Sequence, residues 1–123
     1  MGVPALLMSL FIVQPLAEYW LHRAAHRMQL AYHVSHHTRN SRGRYWGYKG
    51  DAVCRLFVVV LVWYGQYTAA LALIKYEITH IMVHRIPSLR YLHRHHFIHH
   101  RNPDVNYSFG ATWPDRLFGT LEA

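Results

Sequence analysis

Ten of the twelve histidines in this 123-residue chain fall into four clusters, and every cluster has helical spacing. His22 and His26 stand four apart, as do His80 and His84. His33, His36 and His37 read H-x-x-H-H, and His96, His99 and His100 repeat that pattern. Residues three and four apart share one face of a helix, so each cluster aims its imidazoles in one direction. No other feature restricts the fold as much, because four helical faces must meet at one place. A cage built from them holds more ligands than one metal needs. Two ions with four or five nitrogens each would use about ten histidines, which points to a two-metal enzyme.

Neutral imidazole suits zinc, iron, copper and nickel. Ligation needs only the neutral ring, which most of these histidines offer near neutral pH. Without metal, so many imidazoles would repel one another when protonated, so metal binding and folding are expected to be coupled. One H-x-x-x-H pair carries little weight alone. Two pairs and two triplets in so short a chain leave little room for histidines that merely pack or face solvent.

Two apolar runs set the surroundings. Val3 to Leu21 is almost wholly apolar, broken chiefly by Gln14 and Glu18, and Leu56 to Ile74 is broken by little more than Gln66. Each is about 19 residues long, close to the ~20 a helix needs to cross a bilayer. The first run lacks a basic segment before it and a small-x-small cleavage site after it, so it reads as a retained membrane helix rather than a signal peptide. Met1-Gly2 is followed by Leu6 where a myristoylation signal wants Ser or Thr.

The formal charge is +7, a balance that nucleic-acid binding would also give. Its distribution argues against nucleic acid. Arg39, Arg42, Arg44, Lys49 and Arg55 crowd between the apolar runs, and Arg90, Arg94, Arg101 and Arg116 follow the second. Segments kept on the cytoplasmic side of a membrane show this bias. Cys54 is alone, which excludes an intrachain disulfide and a cysteine-based zinc site.

The expected architecture is all-α: one domain over residues 1–123, a small integral membrane helical bundle with a histidine cage on its cytoplasmic face. A first helix is expected from about Pro4 to Arg27, and a second from Leu30 to Thr38. A loop covers Asn40 to Gly50, punctuated by Ser41, Gly43, Gly47 and Gly50. Residues 52 to 84 read as one straight helix would extend ~50 Å and carry His80 and His84 away from the other clusters. A helical hairpin turning near residues 64 to 67, at Gly65, keeps all four together. Its first arm spans only ~18 Å. A last helix is expected over Ser88 to His100, ended by Asn102-Pro103-Asp104. Val105 to Ala123 reads as irregular, with a turn at Trp113-Pro114-Asp115.

His93 and His95 fall outside the clusters. On one helix His93 shares a face with His96 and His100 and is a candidate supporting residue or substitute ligand, whereas His95 points away, towards the surface or lipid headgroups. Glu18, Asp51 and Glu77 are the acidic residues near the cage in sequence. Glu77, three before His80, either orients a ligating histidine or pairs with Lys75 or Arg85. Tyr19 and Trp20, and Trp63 and Tyr64, fit an interfacial aromatic belt.

These motifs together resemble the fatty acid hydroxylase superfamily, which includes sterol desaturases and carotenoid ring hydroxylases. The resemblance runs from about Glu18 to Thr120. It rests on H-R-A-A-H at 22–26, H-V-S-H-H at 33–37, H-I-M-V-H at 80–84 and H-F-I-H-H at 96–100, with Asn106-Tyr107-Ser108 and Asp115-Arg116-Leu117-Phe118-Gly119-Thr120 behind them. It implies a non-haem di-iron centre on the cytoplasmic face, with zinc able to take the place of iron in a purified sample. It also implies hydroxylation or desaturation of a lipid C–H position with O₂ and two electrons. The implied ligands are His22, His26, His33, His36, His37, His80, His84, His96, His99 and His100, with no further catalytic residue.

The substrate is expected to be fatty acyl-type and to enter from the bilayer; sterol desaturation or oxidation and carotenoid ring hydroxylation are alternatives at the same site. Nothing in the chain resembles a cytochrome-type domain, so electrons are expected from a separate cytochrome- or ferredoxin-type donor. Homo-oligomerisation stays open. From another class, a non-catalytic membrane metal-binding protein is the alternative. A transporter would place polar residues at mid-bilayer depth, whereas these histidines lie at helix ends.

Overall fold

The computed structural model describes residues 2–40 and 48–123, and among them the regular structure is entirely helical. Helix α1 (Val3–Met8) runs through a wide π-helical turn (Ser9–Val13) into α2 (Gln14–Arg27). The wide turn lies just before Pro15, which has no N–H and whose ring would collide with the carbonyl four residues back in a regular α-helix. Gln14 N–H instead reaches back five residues to Ser9 O. The expected first helix is therefore present, with this deformation added.

A three-residue turn leads to α3 (Ala31–Asn40). Residues 41–47 of the expected loop lie outside the described residues, and Tyr48 to Gly50 are not loop but the first turn of α4 (Tyr48–Trp63). Helix α5 (Tyr67–Arg85) follows. The two form the expected hairpin. Gly65 sits at φ +70°, a left-handed conformation that costs a residue with a Cβ and that glycine adopts freely. Gln66 N–H bonds Leu61 O and Gly65 N–H bonds Val62 O, the paired closure of a helix C-terminus. Arg55 Nε meets Glu77 Oε1 at 2.9 Å across the arms, which fixes them as antiparallel. Glu77 thus pairs with neither Lys75 nor Arg85 but with Arg55.

The expected single helix over Ser88–His100 is two: α6 (Pro87–Leu92) and α7 (Arg94–Arg101). His93 breaks them apart at φ −111°, ψ 34°, and its ring lies flat on Phe109 with centroids 5.5 Å apart. The turn expected at Trp113-Pro114-Asp115 is a short helix, α8 (Trp113–Leu117), with Pro114 in its first turn where a missing N–H costs nothing.

Burial is inverted relative to a water-soluble protein. Eleven buried side chains are polar or charged and eight, counting Pro15 and Pro114, are apolar among the described residues. Leu7, Phe11, Ile12, Leu56, Phe57, Val59 and Leu71 lie exposed. An apolar exterior of this extent is one that a membrane or a partner surface would cover. Val3–Arg27 forms one continuous 25-residue helix long and apolar enough to cross a membrane, whereas the apolar stretch of α4, Ala52–Trp63, is shorter. Helix α2 is tied to α5 by Gln14, whose Nε2 donates to Ala72 O at 3.2 Å and to Glu18 Oε1 at 2.7 Å.

Candidate metal centre

The ten clustered histidines meet at one place and sort into two groups of five. His22, His26, His33, His37 and His99 form the first; His36, His80, His84, His96 and His100 form the second. Within each group the candidate ligand atoms all lie within 4.8 Å of one another. Helix α2 brings two histidines to the first group, α5 brings two to the second, and α3 and α7 serve both. The groups touch: the rings of His37 and His100 are 4.5 Å apart.

Helical geometry explains the division. At 3.6 residues per turn each step rotates about 100°, so the first and last histidines of H-x-x-H-H diverge by about 40° while the middle one swings about 60° the other way. His33 and His37 accordingly stay together, as do His96 and His100, while His36 and His99 turn to the opposite group.

In the first group His26 Nε2 lies 2.9 Å from His99 Nε2, 2.9 Å from His33 Nε2 and 3.3 Å from His22 Nε2. His37 Nε2 lies 3.1 Å from His33 Nε2. In the second, His96 Nε2 lies 3.2, 3.0 and 3.1 Å from Nε2 of His80, His84 and His100. A neutral imidazole carries one N–H. His22 Nδ1 is 2.6 Å from Tyr107 O, and His99 Nδ1 is bonded to Val105 O. A carbonyl accepts only from a donor, so both rings carry their proton on Nδ1 and turn a bare Nε2 lone pair inward. One proton on His26 can satisfy only one of the lone pairs that converge there, so the remainder call for a cation. The spacing fits one: two nitrogens bound at about 2.1 Å and at right angles lie about 3 Å apart.

Burial sets the charge state. His99 is fully buried, and burial first, with neighbouring His26 and His33 in addition, lowers its pKa to about 3. His36 is lowered to about 3 by burial and then by His84, His33 and His99. His33 is lowered to about 4 by burial and by His26. Burial also lowers His37 and His100 strongly, helped by the imidazoles around each. At neutral pH these rings are neutral, the form that binds metal.

The C-terminal segment closes the centre, and its role was missed in sequence because much of it acts through backbone atoms. Besides Val105 O and Tyr107 O on the first group, Phe109 O accepts from His95 Nε2 at 2.8 Å. His95 is therefore not a surface or headgroup residue but a tie to this segment. The Phe109 ring packs edge-on against His80 and His96 at 5.1 and 4.9 Å. Asp115, fully buried, accepts from Tyr107 N–H and Ser108 N–H at 2.8 Å each and from the Thr120 hydroxyl at 2.7 Å. Asn106, at φ +54°, is held by Thr120 O, Glu122 and His95 O. Asn106-Tyr107-Ser108 and Asp115 to Thr120 stand out in the sequence as signatures, but nothing in the residue types shows that one grips the other.

His93, on Phe109, belongs to neither group. Glu77 is engaged by Arg55, and Glu18 accepts from Gln14 and the Gly110 N–H. The side chain of Asp51 lies outside the described residues. The first group opens beside His26 into a cavity of about 520 Å³ bordered by Arg23, Arg27, Asp104 and Tyr107.

The chain matches the family model for fatty acid hydroxylase over residues 7–120, a span that takes in all four histidine clusters and the segment that closes them. Searches among curated proteins and among solved structures give no match. With the family model covering nearly the whole chain, the protein belongs to the fatty acid hydroxylase family.

Proposed function

We propose that the protein is a membrane di-iron oxygenase that hydroxylates a C–H bond of a fatty acyl-type lipid: R–H, O₂, two electrons and two protons give R–OH and water. The observation that carries this reading is the two groups of five inward-facing histidines at one end of a helix apolar enough to cross a bilayer. The family is membrane-associated and typically iron-dependent. His22, His26, His33, His37 and His99 would hold one ion and His36, His80, His84, His96 and His100 the other. The metal pair, when bound, supplies O₂ activation and the oxidising power for C–H cleavage.

The chain's own residues do the rest. Tyr107 O and Val105 O orient His22 and His99. Phe109 walls the second group and keeps water from it. The exposed apolar faces of α1 and of the α4–α5 hairpin support a centre that works beside acyl chains. Arg23, Arg27, Arg85, Arg90, Arg94 and Arg101 surround the cage end, and by the charge rule for membrane proteins that end faces the cytoplasm, where a separate electron-donor protein would reach it.

The test is to purify the protein anaerobically with ferrous iron and count metal. About two irons per chain, with O₂ consumed only when both reductant and lipid are present, is the expected result. A single loosely held metal with no O₂ uptake would overturn the enzyme reading and favour a metal-binding protein.

A further inference from the structure

We propose that Asp115 is a positioning residue for the first metal alone, acting through the Tyr107–Ser108 backbone on the tautomers of His22 and His99. The proposal rests on the metal-centre reading above. Both carboxylate oxygens of Asp115 are committed: Oδ1 takes Tyr107 N–H and the Thr120 hydroxyl, and Oδ2 takes Ser108 N–H. The grip is internal to a short closed unit, since Thr120 N–H returns to Asp115 O and Asn106 N–H bonds Thr120 O. It fixes the peptides on either side of Tyr107. Tyr107 O then lies against His22 Nδ1, and two residues earlier Val105 O lies against His99 Nδ1.

The consequence is an asymmetry between the two groups. His22 and His99 both belong to the first. Their Nδ1 protons are held by carbonyls that Asp115 steadies, so their Nε2 atoms stay bare and aimed at the first ion. In the second group, Nδ1 of His96 and of His100 is buried without a hydrogen-bond partner, as is Nδ1 of His37 in the first, so no carbonyl of this segment sets these three tautomers and its hold falls on His22 and His99 alone. Residues that orient a ligand through its second nitrogen typically change metal affinity by about 10–100-fold when lost. Loss of Asp115 should therefore weaken one site and spare the other.

The probe is zinc, titrated into the full-length metal-free protein in detergent, with ¹⁵N-histidine spectra of the same sample reporting tautomers. Wild type should show His22 and His99 protonated on Nδ1. In Asp115→Asn both should become mixed tautomers, and one of two zinc-binding steps should weaken about 10–100-fold while the other holds. Unchanged tautomers, or equal weakening of both steps, would overturn the proposal, the second outcome marking Asp115 as a general scaffold residue. If Asp115→Asn fails to fold, Thr120→Val decides by the same criteria, with a smaller shift in the same step expected. A wild type that binds no zinc pair would sink the metal-centre reading instead, and the tautomers of the metal-free protein would still judge Asp115.

Discussion

His36 and His99 are the middle histidines of the two H-x-x-H-H runs, and each joins the group led by the other run's pair. The exchange is reciprocal: α3 gives two nitrogens to the first group and one to the second, and α7 does the reverse. Neither group is complete unless both helices are docked, so metals held there would clasp α3 to α7. His36→Ala and His99→Ala should each lower iron content from about two per chain towards one and abolish hydroxylation, but from different sites. In a double variant almost no iron should remain. If either single change left two irons bound, the division into groups would be wrong.

His95 and His99 are four apart and face different tasks. His99→Ala removes a candidate ligand, whereas His95→Ala removes only the bond to Phe109 O. The second variant should keep its metal and melt earlier, by the loss of about 1 kcal/mol typical of one hydrogen bond. Metal analysis and thermal melting in the same detergent read both quantities. Equal metal loss in the two would contradict the assignment.

The cage was legible in the sequence because helical spacing and metal chemistry act on side chains. A histidine at i and i+4 must face one way whatever surrounds it, and the need to return His80 and His84 to the other clusters required the hairpin at Gly65. The split of the triplets was geometrically available but depends on where partner helices lie. The break at His93 comes from tertiary packing on Phe109, which outweighs local helix preference. The roles of Val105 and Tyr107 were invisible for a different reason: their carbonyls do the orienting, and a carbonyl is common to every residue type. Glu77 was misassigned because its partner, Arg55, becomes a neighbour only once the hairpin closes.

Glu77 bears on the metal only if it orients a histidine, and its pairing with Arg55 says it does not. Glu77→Gln should leave iron content and activity unchanged. Arg55 is largely exposed, so the pair contributes no more than about 1 kcal/mol, and the melting temperature should shift little. A fall in metal content in Glu77→Gln would restore it as a supporting residue of the second group.

Gly65 closes the hairpin in a left-handed conformation with no atom within 4 Å of where a Cβ would stand. Gly65→Ala therefore meets strain but no collision. The expected cost is about 1–2 kcal/mol, read as an earlier thermal melt, with metal stoichiometry intact once the protein is folded. A loss well beyond that range would mean the turn is packed against something the free space does not show.

The inverted burial makes a prediction about medium rather than packing. Ile12 is 50% exposed on the long apolar helix, and Leu117 is 65% exposed on α8 at the cage end. In water the two leucine-like positions would tolerate lysine about equally. With Ile12 in hydrocarbon, a lysine there opposes insertion by about 2.5–3.5 kcal/mol, as charged residues do near the centre of a membrane helix. With Leu117 outside the bilayer, Leu117→Lys should be nearly neutral. The comparison is the fraction of each variant retained in alkali-washed membranes: Ile12→Lys should be depleted and Leu117→Lys retained. Equal retention would place Ile12 in water and remove the physical basis for a lipid substrate entering from the bilayer.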